Sequence, residues 1–214
     1  MNQTFEHVEK INNELSLPGD KSISHRAVMF ASLADGISSI NNCSNSEDVR
    51  STINCFSQMG CHFAETGNRI TITGKGFKGF SKPQNPLYAG NSGTTSRLMS
   101  GILAAQDFET IITGDESLSM RPMKRVIEPL RIMGAKISST EKDTLPLLIK
   151  PSNELCPIQY TMEIASAQVK SALLLCAIHL EEESIIKDIK FRLQYNGIPL
   201  PVLPLEDMDY VPLN

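Results

Sequence analysis

Three stretches of this sequence place small polar residues ahead of a cation and an apolar run. They are SISHRAVMFASLADG from Ser22, SGTTSRLMSGILAAQ from Ser92 and SAQVKSALLLCAIHL from Ser166. Their cations, Arg26, Arg97 and Lys170, stand 71 and 73 residues apart and take the same place in each stretch. The apolar spacing predicts a helix in each case, so the small polar residues are helix starts. A helix start presents N–H groups without intrahelical acceptors and a partial positive charge, which suits an anion. Three starts aimed at one place, with Lys21, Arg26 and Arg97 beside them, predict a trap for an oxyanion. Taken singly, each start is ordinary N-capping and each arginine an ordinary surface ion pair. Their recurrence is what favours the trap.

Other residues add to this picture or fall away from it. Gly90-Asn91-Ser92-Gly93-Thr94-Thr95 is glycine-rich, but it is neither a Walker A loop nor G-x-G-x-x-G. Gly93, without a side chain, would let a ligand touch the backbone. Arg121 stands before Pro122, where a guanidinium can hold a carboxylate or phosphate at two points. His25 is an acid–base candidate by type, yet no carboxylate neighbours it in sequence, so a structural role is favoured. His7, His62 and His179 lack metal-ligand spacing. Glu47, Asp48, Asp115 and Glu116 sit at predicted helix starts, where acids are stabilising. No Ser has a neighbouring base that would make it a nucleophile.

The elements behind these residues also recur. A strand follows each helix: ISSIN at 37–41, ETIITG at 109–114 and ESIIKD at 183–188. A second helix follows in the first two units. Ser44-x-x-Glu47 reads as a capping box with Val49, Ile53 and Phe56 on one face; Met123, Val126, Ile127 and Leu130 form the matching face. Pro122 suits a first turn, and Pro129 should kink that helix. Met59-Gly60 and Met133-Gly134 read as glycine C-caps. Strand pairs come next, one turning at Thr66-Gly67-Asn68 and one at 140–144. The unit is helix, strand, helix, strand, strand, complete twice and begun a third time. Units of this kind must stack to bury both helix faces. Leu33, Val49, Ile53, Phe56, Leu103, Ile127, Leu130 and Leu174 are the expected core.

With 214 residues, 41% of them hydrophobic, the chain can bury a sizeable core. Its net charge of −4 speaks against non-specific nucleic-acid binding. Five cysteines without a C-x-x-C pair argue against a disulfide framework or zinc site. The N-terminus MNQTFEHVEK is polar and no apolar run is long enough for a bilayer, so the expectation is a reduced, cytoplasmic protein without a membrane partner.

LPGDKSISHR at 17–26, GNSGTTSRL at 90–98, SLSMRPM at 117–123 and SAQVKSALLLCA at 166–177 occur in this order. Together they resemble the N-terminal half of the 5-enolpyruvylshikimate-3-phosphate synthase family, over about residues 12 to 188. Ala167 and Lys170 resemble the bacterial branch called class II. The resemblance implies an α/β fold of such repeats around a pseudo-threefold axis, helices inside and sheets outside, with residues 15–188 as the N-terminal-half domain. Residues 1–14 would cross to a second domain, and 189–214 read as a divergent, irregular tail. It implies transfer of the carboxyvinyl group of phosphoenolpyruvate to the 5-hydroxyl of shikimate 3-phosphate, with release of phosphate, in aromatic amino acid biosynthesis. Carried over, Lys21 would contact both substrates. Ser22, Arg26, Ser166, Ala167 and Gln168 would hold shikimate 3-phosphate, with Gln168 also near phosphoenolpyruvate. Gly93 and Arg121 would line the phosphoenolpyruvate side. No cofactor or metal is implied, and a monomer is expected.

The sequence departs from the family pattern in two ways. The family chain is about twice as long, and its acid–base carboxylates lie in the other half. The third repeat is also short: from cation to helix-ending Gly the units run 34, 37 and, taking Gly197, 27 residues. The Ser-Arg-Asp-His-like segment expected after Ile189 is missing, and Pro199, Pro201, Pro204 and Pro212 follow. These departures leave a non-catalytic remnant or binding module as the alternative. The sister transferase acting on a UDP-sugar carries a reactive Cys ahead of its Arg-Pro, where this sequence has GDESLSMRP.

Overall fold

The computed structural model describes residues 17–187 and, in the tail, the backbone of 194–195 and 198–199. The first repeat runs α1 (Lys21–Leu33), β1 (Asp35–Asn41), α2 (Glu47–Gln58), β2 (His62–Thr66) and β3 (Arg69–Lys75). The second runs β4 (Leu87–Tyr88), α3 (Gly93–Ala104), β5 (Thr110–Thr113), α4 (Glu116–Ser119), α5 (Lys124–Ile132), β6 (Lys136–Ser138) and β7 (Leu147–Lys150). The third holds β8 (Gln159–Thr161), α6 (Ala167–Ala177) and β9 (Ile185–Lys187); a short antiparallel pair, β10 (Gln194–Tyr195) and β11 (Ile198–Pro199), follows.

The unit is one strand longer than the sequence predicts. β4 pairs parallel with β5, and β8 pairs parallel with β9, so α3 and α6 are each the crossover of a β-α-β unit. Both leading strands are only two or three residues long, too short for a periodicity signal. The remaining ladders are antiparallel: β1-β3-β2 in one sheet, β5-β7-β6 in the other. The separate small sheets and their order are incompatible with a doubly wound parallel sheet.

Helices form the interior. Ten of the twelve residues of α3 are buried, whereas β1 and β2 have no buried residue. α3 and α6 approach closely, because a Cβ on Gly101 would lie 2.0 Å from the Ala172 carbonyl oxygen. Of the expected core, Leu33, Val49, Ile53, Phe56, Leu103, Ile127 and Leu130 are buried. Leu174 is not. It is 43% exposed, on the face of α6 opposite the buried Ala172 and Leu173 side.

The repeat ends match in detail. At Gly60 (φ 95°) the amides of Gly60 and Cys61 donate to the carbonyls of Ser57 and Phe56. At Gly134 (φ 87°) those of Gly134 and Ala135 donate to Arg131 and Leu130. Both are the paired closure in which glycine takes the left-handed position. The start of α2 differs from expectation. Ser46, not Ser44, is the N-cap, because the Ser44 amide is drawn to Ser24 Oγ at 2.8 Å. Likewise Pro122 lies just outside α5, whose N-cap is Met123; Pro129 is inside, as predicted. Residues 1–14 and most of 189–214 lie outside the described residues.

Candidate functional site

The helices α1, α3 and α6 are capped by the same device. Asp20 accepts from the Ile23 amide, Ser92 from Thr95 and Ser166 from Val169. Each cap takes the third amide, so the first two amides of each helix have no intrahelical acceptor. Those amides belong to Lys21 and Ser22, Gly93 and Thr94, and Ala167 and Gln168. The first helix is therefore capped two residues before Ser22, at Asp20. The three cations are not in equivalent places either: Arg26 is six residues past its cap, Arg97 five and Lys170 four. At about 100° per residue they fan out around the helices instead of superimposing.

Polar side chains lock these starts together. Lys21 Nζ pairs with Asp48 Oδ2 at 2.7 Å, joining α1 to α2. The Asp48 carbonyl accepts from Thr95 Oγ1 on α3 at 3.2 Å. Gln168 bridges α6 to α3: its Nε2 donates to Thr94 Oγ1, and its Oε1 accepts from Arg97 Nη1, both at 2.9 Å. Arg26 Nη2 donates to Ser171 Oγ on α6 at 2.8 Å. Beneath them runs a buried chain. His25 Nδ1 meets Thr52 Oγ1 at 2.8 Å, Thr52 meets Thr95 at 2.7 Å, and Thr95 meets Ser92 at 2.7 Å. His25 thus serves as a structural residue, in agreement with the sequence reading. Its burial pushes the imidazole pKa down to about 4, so it is neutral near pH 7.

Arg121 is aimed by Asn91, whose side-chain and main-chain oxygens accept from its guanidinium at 2.5 and 3.4 Å. Asn91 Nδ2 in turn donates to Asp115 Oδ2 at 2.7 Å. A Cβ on Gly93 would stand 2.6 Å from Arg97 Nη1 and 3.6 Å from Arg121 Nη1, so both guanidiniums flank this glycine. Burial, then the nearby Arg121 and Arg125, push the Arg97 pKa down. Positive charge is concentrated here, and the oxygens that hold Arg97 and Arg121 are neutral.

Lys21, Ser22, Gly93, Ser166, Ala167 and Gln168 thus lie at the N-terminal ends of α1, α3 and α6, Arg121 reaches Gly93 from the segment between α4 and α5, and Arg26 lies a turn further along α1. Sequence reasoning passed over Asn91, Thr94 and Ser171, which position the cations and Gln168. All three fall inside the motifs, but an Asn or Ser in a small-residue run gives no signal of its own. Asp48 had been read only as a favourable acid at a helix start. Among the described residues no group of three or more His, Cys, Asp or Glu could hold a metal ion, and no helix is long and apolar enough to cross a membrane.

The model of the EPSP synthase (3-phosphoshikimate 1-carboxyvinyltransferase) family matches residues 5–196. The 3-phosphoshikimate 1-carboxyvinyltransferase of Streptococcus sanguinis is 49% identical over 181 residues, covering 84% of this chain and 42% of that protein. That of Caldicellulosiruptor saccharolyticus is 46% identical over 190 residues, covering 88% and 44%. An EPSP synthase structure from Acinetobacter baumannii superposes with a TM-score of 0.80 at 42% identity, over 84% of this chain and 41% of that one. The chain thus spans about two fifths of the length of these relatives. A family model covering nine tenths of the sequence, on a fold that links the starts of α1, α3 and α6, leaves one assignment: the chain belongs to the EPSP synthase family.

Proposed function

We propose that this chain carries the shikimate 3-phosphate side, and part of the phosphoenolpyruvate side, of a carboxyvinyl-transfer site. The observation that carries it is the linked set of helix starts, with Lys21, Arg97 and Arg121 around six amides that have no intrahelical acceptor. Ser22, Arg26, Ser166, Ala167 and Gln168 would hold shikimate 3-phosphate; Gly93 and Arg121 would face phosphoenolpyruvate; Lys21 would reach both. In the reaction the 5-hydroxyl of shikimate 3-phosphate gives up its proton as its oxygen adds to C2 of phosphoenolpyruvate, and the methylene carbon of phosphoenolpyruvate takes up a proton to become a methyl group. That carbon then loses a proton as the C2–O bond breaks and phosphate leaves. The cations and amides would stabilise the charge on phosphate and carboxylate. The carboxylates that this hydrogen-bond network reaches are already engaged: Asp20 by the Ile23 amide, Asp48 by Lys21, and Asp115 by Asn91 and the Leu118 amide.

This supports a second reading, a binding module without turnover. One experiment separates the two: calorimetry with shikimate 3-phosphate beside a phosphate-release assay with both substrates. We expect weak binding of shikimate 3-phosphate and no release above the blank. An open face leaves each charge contact in water, where it contributes about 1 kcal/mol or less. A missing general acid or base costs about two to four orders of magnitude in rate. Steady release by chain free of host synthase would show that proton-transfer groups are present here; no binding of either substrate would defeat the site. Residues 15–188 would act as one unit, monomeric and cytoplasmic, with no cofactor or nucleic-acid partner.

A further inference from the structure

The two parallel strands of the second repeat end side by side. Past β4 the chain turns through Gly90 and Asn91, and past β5 through Gly114 and Asp115. The Ala89 amide donates to the Thr113 carbonyl at 2.8 Å, and the Asp115 amide to the Gly90 carbonyl at 2.9 Å. A Cβ on Gly114 would lie 3.0 Å from that same Gly90 oxygen, so the two turns are in contact. Asn91 and Asp115 therefore meet across a gap that the backbone fixes. The carboxylate is fixed as well: Oδ1 accepts from the Leu118 amide and Oδ2 from Asn91 Nδ2, both at 2.7 Å. Asn91, then the Leu118 amide and the nearby Arg121, hold the Asp115 carboxyl below its ordinary pKa. It is ionised near pH 7 and can only accept. Arg121, on the other side of Asn91, can only donate. Between such neighbours the Asn91 amide has one satisfying orientation, its NH2 toward Asp115 and its oxygen toward Arg121.

We propose that Asp115 is a positioning residue for Arg121, acting through Asn91, and that Asn91 keeps the carboxylate's charge off the guanidinium. The two cations of the site that reach toward phosphoenolpyruvate are held in different ways. Lys21 is paired directly with a carboxylate, Asp48, at 2.7 Å. Arg121 makes no ion pair among the described residues; its partners are the Asn91 oxygens at 2.5 and 3.4 Å and the Ser117 hydroxyl at 3.5 Å. A carboxylate at position 91 would orient the guanidinium but would also occupy its charge. The amide transmits the orientation set by Asp115 and leaves the charge for an incoming anion. This inference rests on the reading that Arg121 faces phosphoenolpyruvate.

The test uses the full chain with 13C,15N-labelled arginine. NMR reads rotation about the Arg121 Nε–Cζ bond in the free chain, and phosphoenolpyruvate is then titrated against the same signals. In the parent, Asn91 oxygens on both Nη1 and Nη2 should make that rotation slow. Asp115→Asn keeps an acceptor for the Leu118 amide, but its NH2 turns the Asn91 oxygen away from Arg121. Asp115→Ser also keeps that cap and removes the acceptor that Asn91 Nδ2 meets. Both should retain the parent's melting temperature, speed the rotation, and weaken phosphoenolpyruvate about threefold to tenfold. Combining Asn91→Asp with Asp115→Asn exchanges donor and acceptor. Rotation should slow again, while phosphoenolpyruvate stays as weak as in Asp115→Asn, because the guanidinium is now paired. Parent-like rotation in both Asp115 variants, or affinity restored by the double variant, overturns the proposal. If the Arg121 signals ignore phosphoenolpyruvate in the parent while rotation follows the variants as stated, the substrate reading fails and the positioning of Arg121 by Asp115 is upheld.

Discussion

His25 and Gly93 show how single residues set the character of this site. The imidazole is fully buried, and its Nε2 has no partner among the described residues, so a second proton has nowhere to bond. Its pKa is about 4 in the fold against 6.5 when free. Above pH 6.5 neither state is charged and stability is whole. Between 6.5 and 4 the unfolded chain gains a proton that the folded chain refuses, so stability falls by up to about 3 kcal/mol. Burial depresses His179 as well, in the same direction. Urea unfolding at pH 7 and pH 4.5 should show the drop, and His25→Gln should reduce it; an unchanged drop in that variant would assign the effect elsewhere. Gly93→Ala is expected to leave stability nearly intact, because the new methyl meets only the flexible ends of Arg97 and Arg121. In a full-length enzyme built on this half, it should weaken phosphoenolpyruvate and glyphosate more than shikimate 3-phosphate. Equal losses for both sides would contradict a local steric role.

Among the elements, the tightest constraint lies between α3 and α6. Gly101→Ala places its methyl 2.0 Å from a main-chain oxygen of Ala172, which cannot swing aside as Arg97 can. The helices must separate, at a cost of about 1–3 kcal/mol, read as a lower urea midpoint; a midpoint matching the parent would mean that the seam has slack. The sequence conveyed the helices and their glycine ends well, because an apolar stripe and a Met-Gly stop are local signals. It did not convey β4 and β8, which exist only as partners of β5 and β9. It misplaced the α2 cap, since Ser44 was claimed by Ser24 across 20 residues. Leu174 reads as core because the second half of α6, from Ala172 to Ala177, is apolar on every face; which face is covered depends on a neighbour, and no local pattern reports that.

At the scale of the molecule, the motifs identified the family, whereas the linkage of the site depended on contacts spanning 27 to 145 residues, from Lys21 with Asp48 to Arg26 with Ser171. An open, cationic face of this kind should bind shikimate 3-phosphate in a salt-dependent way. Raising ionic strength from about 0.05 to 0.5 M should weaken binding several-fold, because exposed charges are screened within a few ångströms. Calorimetry across that range checks it, and a flat response would require an enclosed pocket instead.

The close approach of Gly101 to Ala172 also orders events during synthesis. The surface that Gly101 offers is complete once α3 has left the ribosome, but its partner is encoded 71 residues later. At about 5–20 residues per second that surface waits on the order of several seconds for α6. The sheet of the first repeat, whose β1, β2 and β3 close on themselves within residues 35–75, has no such wait. A nascent chain paused before residue 167 should therefore carry a settled first repeat and an unsealed second one, the stage at which a chaperone has most to bind.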